Sequence, residues 1–146
     1  MRLLLNSAIA LLAALAPRCA SAAPSCTDFL QQLSRKPLHL EFVECKPSHT
    51  AQLRALSAIY RVKGSDAASV ERYLMRHTRM PALRFACCGW EPYSRRNPLV
   101  NAGYLPSRYG FNFEISMGSE TLVTRRAEWS QIPWFYVEVL LPLESP

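Results

Sequence analysis

Two adjacent cysteines, Cys87 and Cys88, constrain the fold of this chain more than any other feature. They lie in the segment FACCGWE; of the other three cysteines, Cys19 lies in the N-terminal segment that we predict below to be removed, which leaves Cys26 and Cys45. An even number of cysteines in a short exported chain indicates a disulfide framework, and four cysteines allow three pairings. Such a framework requires distant parts of the chain to meet at the sulfur atoms.

The start of the chain predicts export. An arginine precedes an apolar run from Leu3 to Ala16, and residues 20–22, Ala-Ser-Ala, are the small residues that signal peptidase accepts. The apolar run is shorter than the roughly 20 residues of a membrane-spanning helix, and no later segment qualifies. We therefore predict a signal peptide at 1–22, a single secreted domain at 23–146, and a periplasmic location.

The faces of the predicted strands indicate how the cysteines pair. Successive strand side chains point to opposite faces, so Cys87 and Cys88 should leave a strand at 83–90 in opposite directions. A bond between these neighbours would also strain the intervening peptide. The partner of Cys87 is then Cys26, at the start of the first helix, and the partner of Cys88 is Cys45. We expect both disulfides to be structural.

A redox or metal role is the alternative for the adjacent cysteines. Redox motifs and zinc knuckles space their cysteines as C-x-x-C, and Cys87 and Cys88 do not have this spacing. The sequence therefore favours structural bridges, with thiol-redox chemistry or metal handling at these two residues as the alternative.

The chain has no catalytic or cofactor signature. It lacks the motifs G-x-S-x-G, G-x-G-x-x-G, the P-loop and H-E-x-x-H. The three histidines, His39, His49 and His77, lack the partners that a triad or metal site requires. We therefore expect no catalytic residue, no cofactor and no metal. The predicted mature chain has 15 Lys and Arg against 11 Asp and Glu, a mild balance that gives no argument for nucleic acid.

Two periodicities alternate along the chain and predict an α+β fold. Apolar residues at helical spacing indicate helices near 26–34 and 65–78. Alternating apolar residues or short apolar runs indicate strands near 38–45, 53–63, 83–90, 109–115, 121–126 and 134–141. We therefore predict two helices packed on one face of a curved, mainly antiparallel sheet of about six strands, stapled by disulfides.

The segment Glu91–Arg108 is the candidate contact surface. It is long for a connection inside a compact domain, and such connections are usually functional or disordered. Arginine and tyrosine dominate contact hot spots, and the three prolines of the segment limit the entropy lost on binding. The alternative is that the tyrosines cover one end of the core. The predicted binding residues are Trp90, Tyr93, Arg95, Arg96, Tyr104 and Arg108.

Several segments resemble a known family. KPLHLEFVEC, YRVKGSDAASVERYL, MPALRF and CCGWE are similar to a group of small exported Gram-negative bacterial proteins classed as a domain of unknown function. The resemblance spans residues 26–91, and CCGWE is its most specific element. Because that family has no established activity, the resemblance implies a periplasmic location and a covalent framework, and no catalytic residue.

Two functions of different classes follow from these observations. The first is a non-enzymatic periplasmic binding or inhibitory protein whose Glu91–Arg108 loop contacts a protein partner, for example an envelope-acting toxin or hydrolase. The alternative is a thiol-redox or metal-handling periplasmic protein that uses Cys87 and Cys88.

Overall fold

The computed structural model of the protein describes residues 22–145. Almost all of the predicted signal peptide therefore lies outside the described residues. Along the chain the elements are α1 (Phe29–Gln32), β1 (Glu41–Thr50), β2 (Leu53–Val62), α2 (Gly64–Thr78), β3 (Leu83–Ala86), β4 (Gly89–Pro92), β5 (Gly103–Leu105), β6 (Phe113–Glu120), a 3-10 helix (Arg126–Gln131) and β7 (Phe135–Pro142).

The seven strands form one antiparallel sheet, and the predicted α+β class is wrong. The strand order is β1-β2-β7-β6-β4-β3, with β5 beside β6. The helical content is low: the first predicted helix is reduced to the four residues of α1, and only α2 is long. The segment at 83–90 is a hairpin of two strands, so the sheet gains a strand where the sequence predicted one continuous element.

One face of the sheet forms the core. Alternate residues of β7, such as Phe135 and Val137, are fully buried, and β2 and β6 bury their own alternate residues on the same side. Phe29 of α1 packs its ring 5.0 Å from that of Phe113 in β6. The α2 helix buries Val70 and Leu74. The core therefore lies between the sheet and its short helices, and the opposite sheet face is left for solvent.

All four cysteines within residues 22–145 are disulfide-bonded, but the predicted pairing is wrong. Cys26 bonds Cys45 with an α-carbon separation of 5.4 Å, and Cys87 bonds Cys88. Cys45 lies opposite Ala58 of β2, and the side chains of Cys26 and Cys45 both pack against the core. The strand-face argument failed because residues 83–90 turn at the adjacent cysteines, where Cys87 has a φ of 51° and alternation no longer applies.

The long edge strand β1 is poorly suited to pairing with another chain. Its register shifts between Phe42 and Glu44, and Pro47 lies in its second half. A bulge, a proline and exposed charges are features by which proteins prevent edge-to-edge association. We therefore expect a contact surface on a face or a loop of the protein and not on this edge. Within residues 22–145, no helix is long and apolar enough to cross a membrane.

Candidate functional site

The solvent face of the sheet holds a groove, which we call the outer groove. Its floor is formed by the residues of β2, β6 and β7 that alternate with the core residues: Ile59, Ser116, Gly118, Tyr136 and Glu138. Its volume is about 920 Å³. Ser116 also lines two smaller cavities, of about 390 and 240 Å³, which therefore adjoin the outer groove. The depression therefore follows the solvent face of β6.

Close strand packing brings the β3–β4 hairpin to the groove. A β-carbon on Gly118 would lie 2.6 Å from the carbonyl oxygen of Trp90, and one on Gly89 would collide with the carbonyl of Ser119. These two glycines let β4 and β6 approach closely. As a result the exposed pair Cys87 and Cys88, at the turn of the hairpin, forms part of the groove wall.

The ionisable residues that line the groove and its adjoining cavities are mostly acidic. His49 lies at one end, and the described lining residues include no lysine or arginine. Four glutamates line the groove and its adjoining cavities: Glu91, Glu114, Glu120 and Glu138. Ser57 donates a hydrogen bond from Oγ to Oε1 of Glu138, at 2.5 Å, which fixes that carboxylate. The groove therefore differs in sign from the chain as a whole, which has a formal net charge of +6.

Aromatic side chains lie along the same face. Tyr136 is 50% exposed on β7, and Trp134 precedes that strand at the groove wall. The guanidinium of Arg61 lies 4.3 Å from the centre of the Trp134 ring. Tyr104 of β5 is opposite Glu114 of β6, so it belongs to the same sheet face. These rings give the acidic face an apolar surface.

The structure places the predicted binding residues in three different environments. Trp90 is 6% exposed, and its indole Nε1 donates to the carbonyl of Val123 at 2.8 Å, so it is a core residue and is not available for contact. Tyr93 is half-buried, with the Arg84 guanidinium 4.7 Å from its ring centre.

The other four predicted binding residues are exposed. Arg95 and Arg96 project from the loop, near Leu99, which is 89% exposed. Tyr104 is 47% exposed and Arg108 lies 5.2 Å from the ring of Tyr109. The loop therefore presents positive charge to solvent, while residues such as Asn101 on its inner side line the two smaller cavities.

Backbone hydrogen bonds attach the loop to the sheet. The predicted bond from Cys45 to Cys88, which would have anchored it, does not exist. The Tyr93 amide donates to the carbonyl of Ala82 at 3.1 Å. At its far end, β5 pairs with β6. The exposed part, about residues 94–101, is thus held at both ends by the fold.

The described residues contain no recognisable metal centre. Between residues 22 and 145, no group of three or more His, Cys, Asp or Glu is placed to hold a metal ion. His77 packs its ring 4.2 Å from that of Tyr73, and His49 lies at the end of the cavity beside Glu114.

Sequence reasoning missed the outer groove and a buried ion pair between Glu71 and Arg126. The signal for the groove was present: Tyr136 and Glu138 alternate with Val137 in the predicted closing strand, which puts both on the solvent face. The signal for the ion pair was Glu71 itself, a charged residue beside Val70 on the inward stripe of α2.

Comparisons with known proteins place the chain in a family. A profile described as a domain of unknown function, DUF4952, matches residues 17–90, which includes the CCGW segment and ends at Trp90 in β4. No curated protein and no solved structure matches the chain. The family match covers half of the chain, and the protein therefore belongs to the DUF4952 family of unknown function.

Proposed function

We propose that this chain is an exported, non-enzymatic binding protein whose Glu91–Arg108 loop contacts a protein partner. The observation that carries the proposal is the exposure of Arg95, Arg96 and Leu99 on a loop held at both ends. Among residues 22–145, none of the six ion pairs involves an arginine of this loop. Their guanidinium groups are available to a partner.

The chemistry of the loop favours a partner with an acidic surface. Arginine binds carboxylates with two parallel hydrogen bonds, and tyrosine adds rigid contact area at low entropic cost. The exposed Leu99 between these polar groups provides the apolar contact that interface centres usually contain. A periplasmic toxin or hydrolase of a Gram-negative bacterium, blocked at an acidic surface, fits this chemistry.

Export is part of the same proposal. The Cys26–Cys45 disulfide joins the chain ahead of α1 to the strand β1, and such bonds persist in oxidising compartments. The predicted signal peptide and a periplasmic location are consistent with that bond.

A pull-down from a periplasmic extract tests the proposal. The purified protein is compared with a triple variant, Arg95→Ala, Arg96→Ala and Tyr104→Ala, which removes two charges and one exposed ring. The expected result is a specific partner recovered with the native protein and reduced at least tenfold with the triple variant, because these residue types supply most binding energy at interfaces.

A matched control removes the same number of cations elsewhere. Arg72→Ala and Arg76→Ala lie on exposed positions of α2, away from the loop. Their partner recovery should equal that of the native protein. Equal recovery with the triple variant, or equal loss with the helix variant, would count against the loop as the contact surface.

A second candidate function is favoured by one observation, the exposed bond between Cys87 and Cys88. Attack by a dithiol donor on this bond yields two thiols on the chain and a disulfide in the donor. The resulting dithiol is able to pass its electrons to another disulfide or to bind a thiophilic metal ion. The half-buried bond between Cys26 and Cys45 is less accessible to the same donor.

Alkylation followed by mass measurement tests this second candidate. Mild reduction of the folded protein with a dithiol, followed by alkylation of the released thiols, should label Cys87 and Cys88 and leave Cys26 and Cys45 unlabelled. Labelling of all four cysteines together, or of none, would contradict a selective redox role for the adjacent pair.

A further inference from the structure

The charges of the sheet face separate into paired and unpaired groups. Lys46 on β1 bonds Glu44 at 2.7 Å, and Arg61 on β2 bonds Glu41 at 2.9 Å. Both cations are therefore paired with carboxylates outside the groove lining, and the pKa of Lys46 is raised mainly by Glu44 and only to a smaller extent by Glu138. The four glutamates that line the outer groove and its adjoining cavities have no ion pair among residues 22–145.

Two of the four carboxylates lie on one strand, and a third lies on its neighbour. Glu114 and Glu120 are six residues apart on β6, and a strand rises about 3.3 Å per residue, so the two lie roughly 20 Å apart. Glu138 of β7 is opposite Ser116, between these two positions. A compact cation contacts one such position, whereas an extended chain with repeated positive side chains contacts several at once.

The aromatic groups of the groove suit the same kind of ligand. Arg61 already lies over Trp134, which demonstrates that a guanidinium packs on an aromatic ring at this face. Tyr136 is half-exposed beside Glu138, and no cation of the described residues covers its ring. An aromatic face next to a carboxylate binds lysine and arginine through cation–π contact and charge-assisted hydrogen bonds.

We propose that the outer groove binds an extended peptide segment that carries lysine or arginine side chains. The main chain lies along the solvent face of β6 and β7, and its cationic groups contact Glu138 and the acidic ends of the groove. This site is opposite in charge to the exposed arginines of the Glu91–Arg108 loop. Glu91 and Asn101 of that loop line the groove and its adjoining cavities, but peptide binding here does not require the loop to bind a partner.

Titration with a lysine pentapeptide at low ionic strength tests this site. Trp134 lines the groove, so tryptophan fluorescence of the purified protein follows binding. We expect saturable binding that weakens steeply as salt is added. Glu138→Gln keeps the acceptor for Ser57 and removes the charge, and it should raise the Kd about tenfold. Tyr136→Ala should raise it about threefold through loss of the cation–π contact.

The control variant is Glu128→Gln, which removes a carboxylate from the 3-10 helix, outside the groove lining. Its Kd should match that of the native protein. Absence of binding at low salt, or an equal effect of Glu128→Gln and Glu138→Gln, would overturn the proposal. Spermine that binds as tightly as the peptide, with the same dependence on Glu138 and Tyr136, would assign the site to small organic cations. Because no partner extract is used, failure here is distinguishable from failure of the loop.

Discussion

Arg126 and Glu71 form a two-point ion pair under the β3–β4 hairpin. Nη1 of Arg126 lies 2.6 Å from Oε2 of Glu71, and Nη2 lies 2.8 Å from Oε1. The Leu83 amide also donates to Glu71 Oε1, and the Leu83 carbonyl accepts from Arg126. The pair therefore joins α2, β3 and the 3-10 helix, and it supports the hairpin that forms the groove wall.

Removing the cation should destabilise the fold strongly. Glu71 is 3% exposed, so Arg126→Ala leaves a buried carboxylate without its counter-charge. Breaking a buried pair in this way costs about 3 kcal/mol, at the lower end of the usual range because the Arg126 side chain is 45% exposed. Urea unfolding measures the loss.

The neighbouring arginine provides the control. Arg125 pairs with Glu128 at the surface, and its side chain is well exposed. Solvent screens exposed pairs of this kind, so Arg125→Ala should change the free energy of unfolding little. Equal losses in the two variants would show that the buried pair has no special role.

The sequence predicted two elements well, whereas the predicted strand at 121–126 is not formed and the partners of the strands were not predicted. The predicted helix at 65–78 corresponds to α2, and the predicted strand at 134–141 corresponds to β7, because strong periodicity and clear start signals specify both. Residues 117–119 lie between the predicted strands at 109–115 and 121–126 but continue β6. Gly118 there allows the approach of Trp90, a contact between strands that no local pattern reveals.

The hairpin at the adjacent cysteines could not be predicted either, because no local pattern marks its turn. Its turn contains no Asn-Gly or similar pair, so the usual hairpin signal is absent. The outer groove likewise depends on which strands become neighbours: Ser116 faces Glu138 only because β6 pairs with β7. The alternation of Val137 and Glu138 indicates which side chains face solvent, but not that they surround a groove.

Tyr60 should contribute to stability through its hydroxyl group. That hydroxyl donates to Oδ1 of Asp28 at 3.0 Å and accepts from the Leu30 amide at 3.1 Å, which anchors α1 to β2. Tyr60→Phe leaves the Leu30 N–H buried without an acceptor, which costs about 1–3 kcal/mol. Thermal and urea unfolding should both report the loss. Tyr136→Phe, on the exposed face, is the control and should be nearly neutral.

The same residue predicts a loss of stability at alkaline pH. Burial raises the pKa of Tyr60 above its ordinary value of about 10. The folded state thus retains a proton that the unfolded state loses, and the stabilisation is fully present below pH 10 and declines as the pH rises further. Urea unfolding at pH 9 and 11 should show a larger decrease for the native protein than for Tyr60→Phe. Parallel decreases would contradict the assignment to Tyr60.

The two disulfides should contribute very unequally to stability. Cys26–Cys45 joins residues 19 apart and restricts the unfolded chain, whereas Cys87–Cys88 joins neighbours and closes almost no loop. In the chain-entropy description, replacing both Cys26 and Cys45 by serine costs about 3 kcal/mol, and replacing Cys87 and Cys88 costs little. Urea unfolding of the two double variants under oxidising conditions makes the comparison. A large loss in the Cys87→Ser, Cys88→Ser variant would mean that the bond stabilises the folded hairpin itself, and the adjacent pair would then be structural after all.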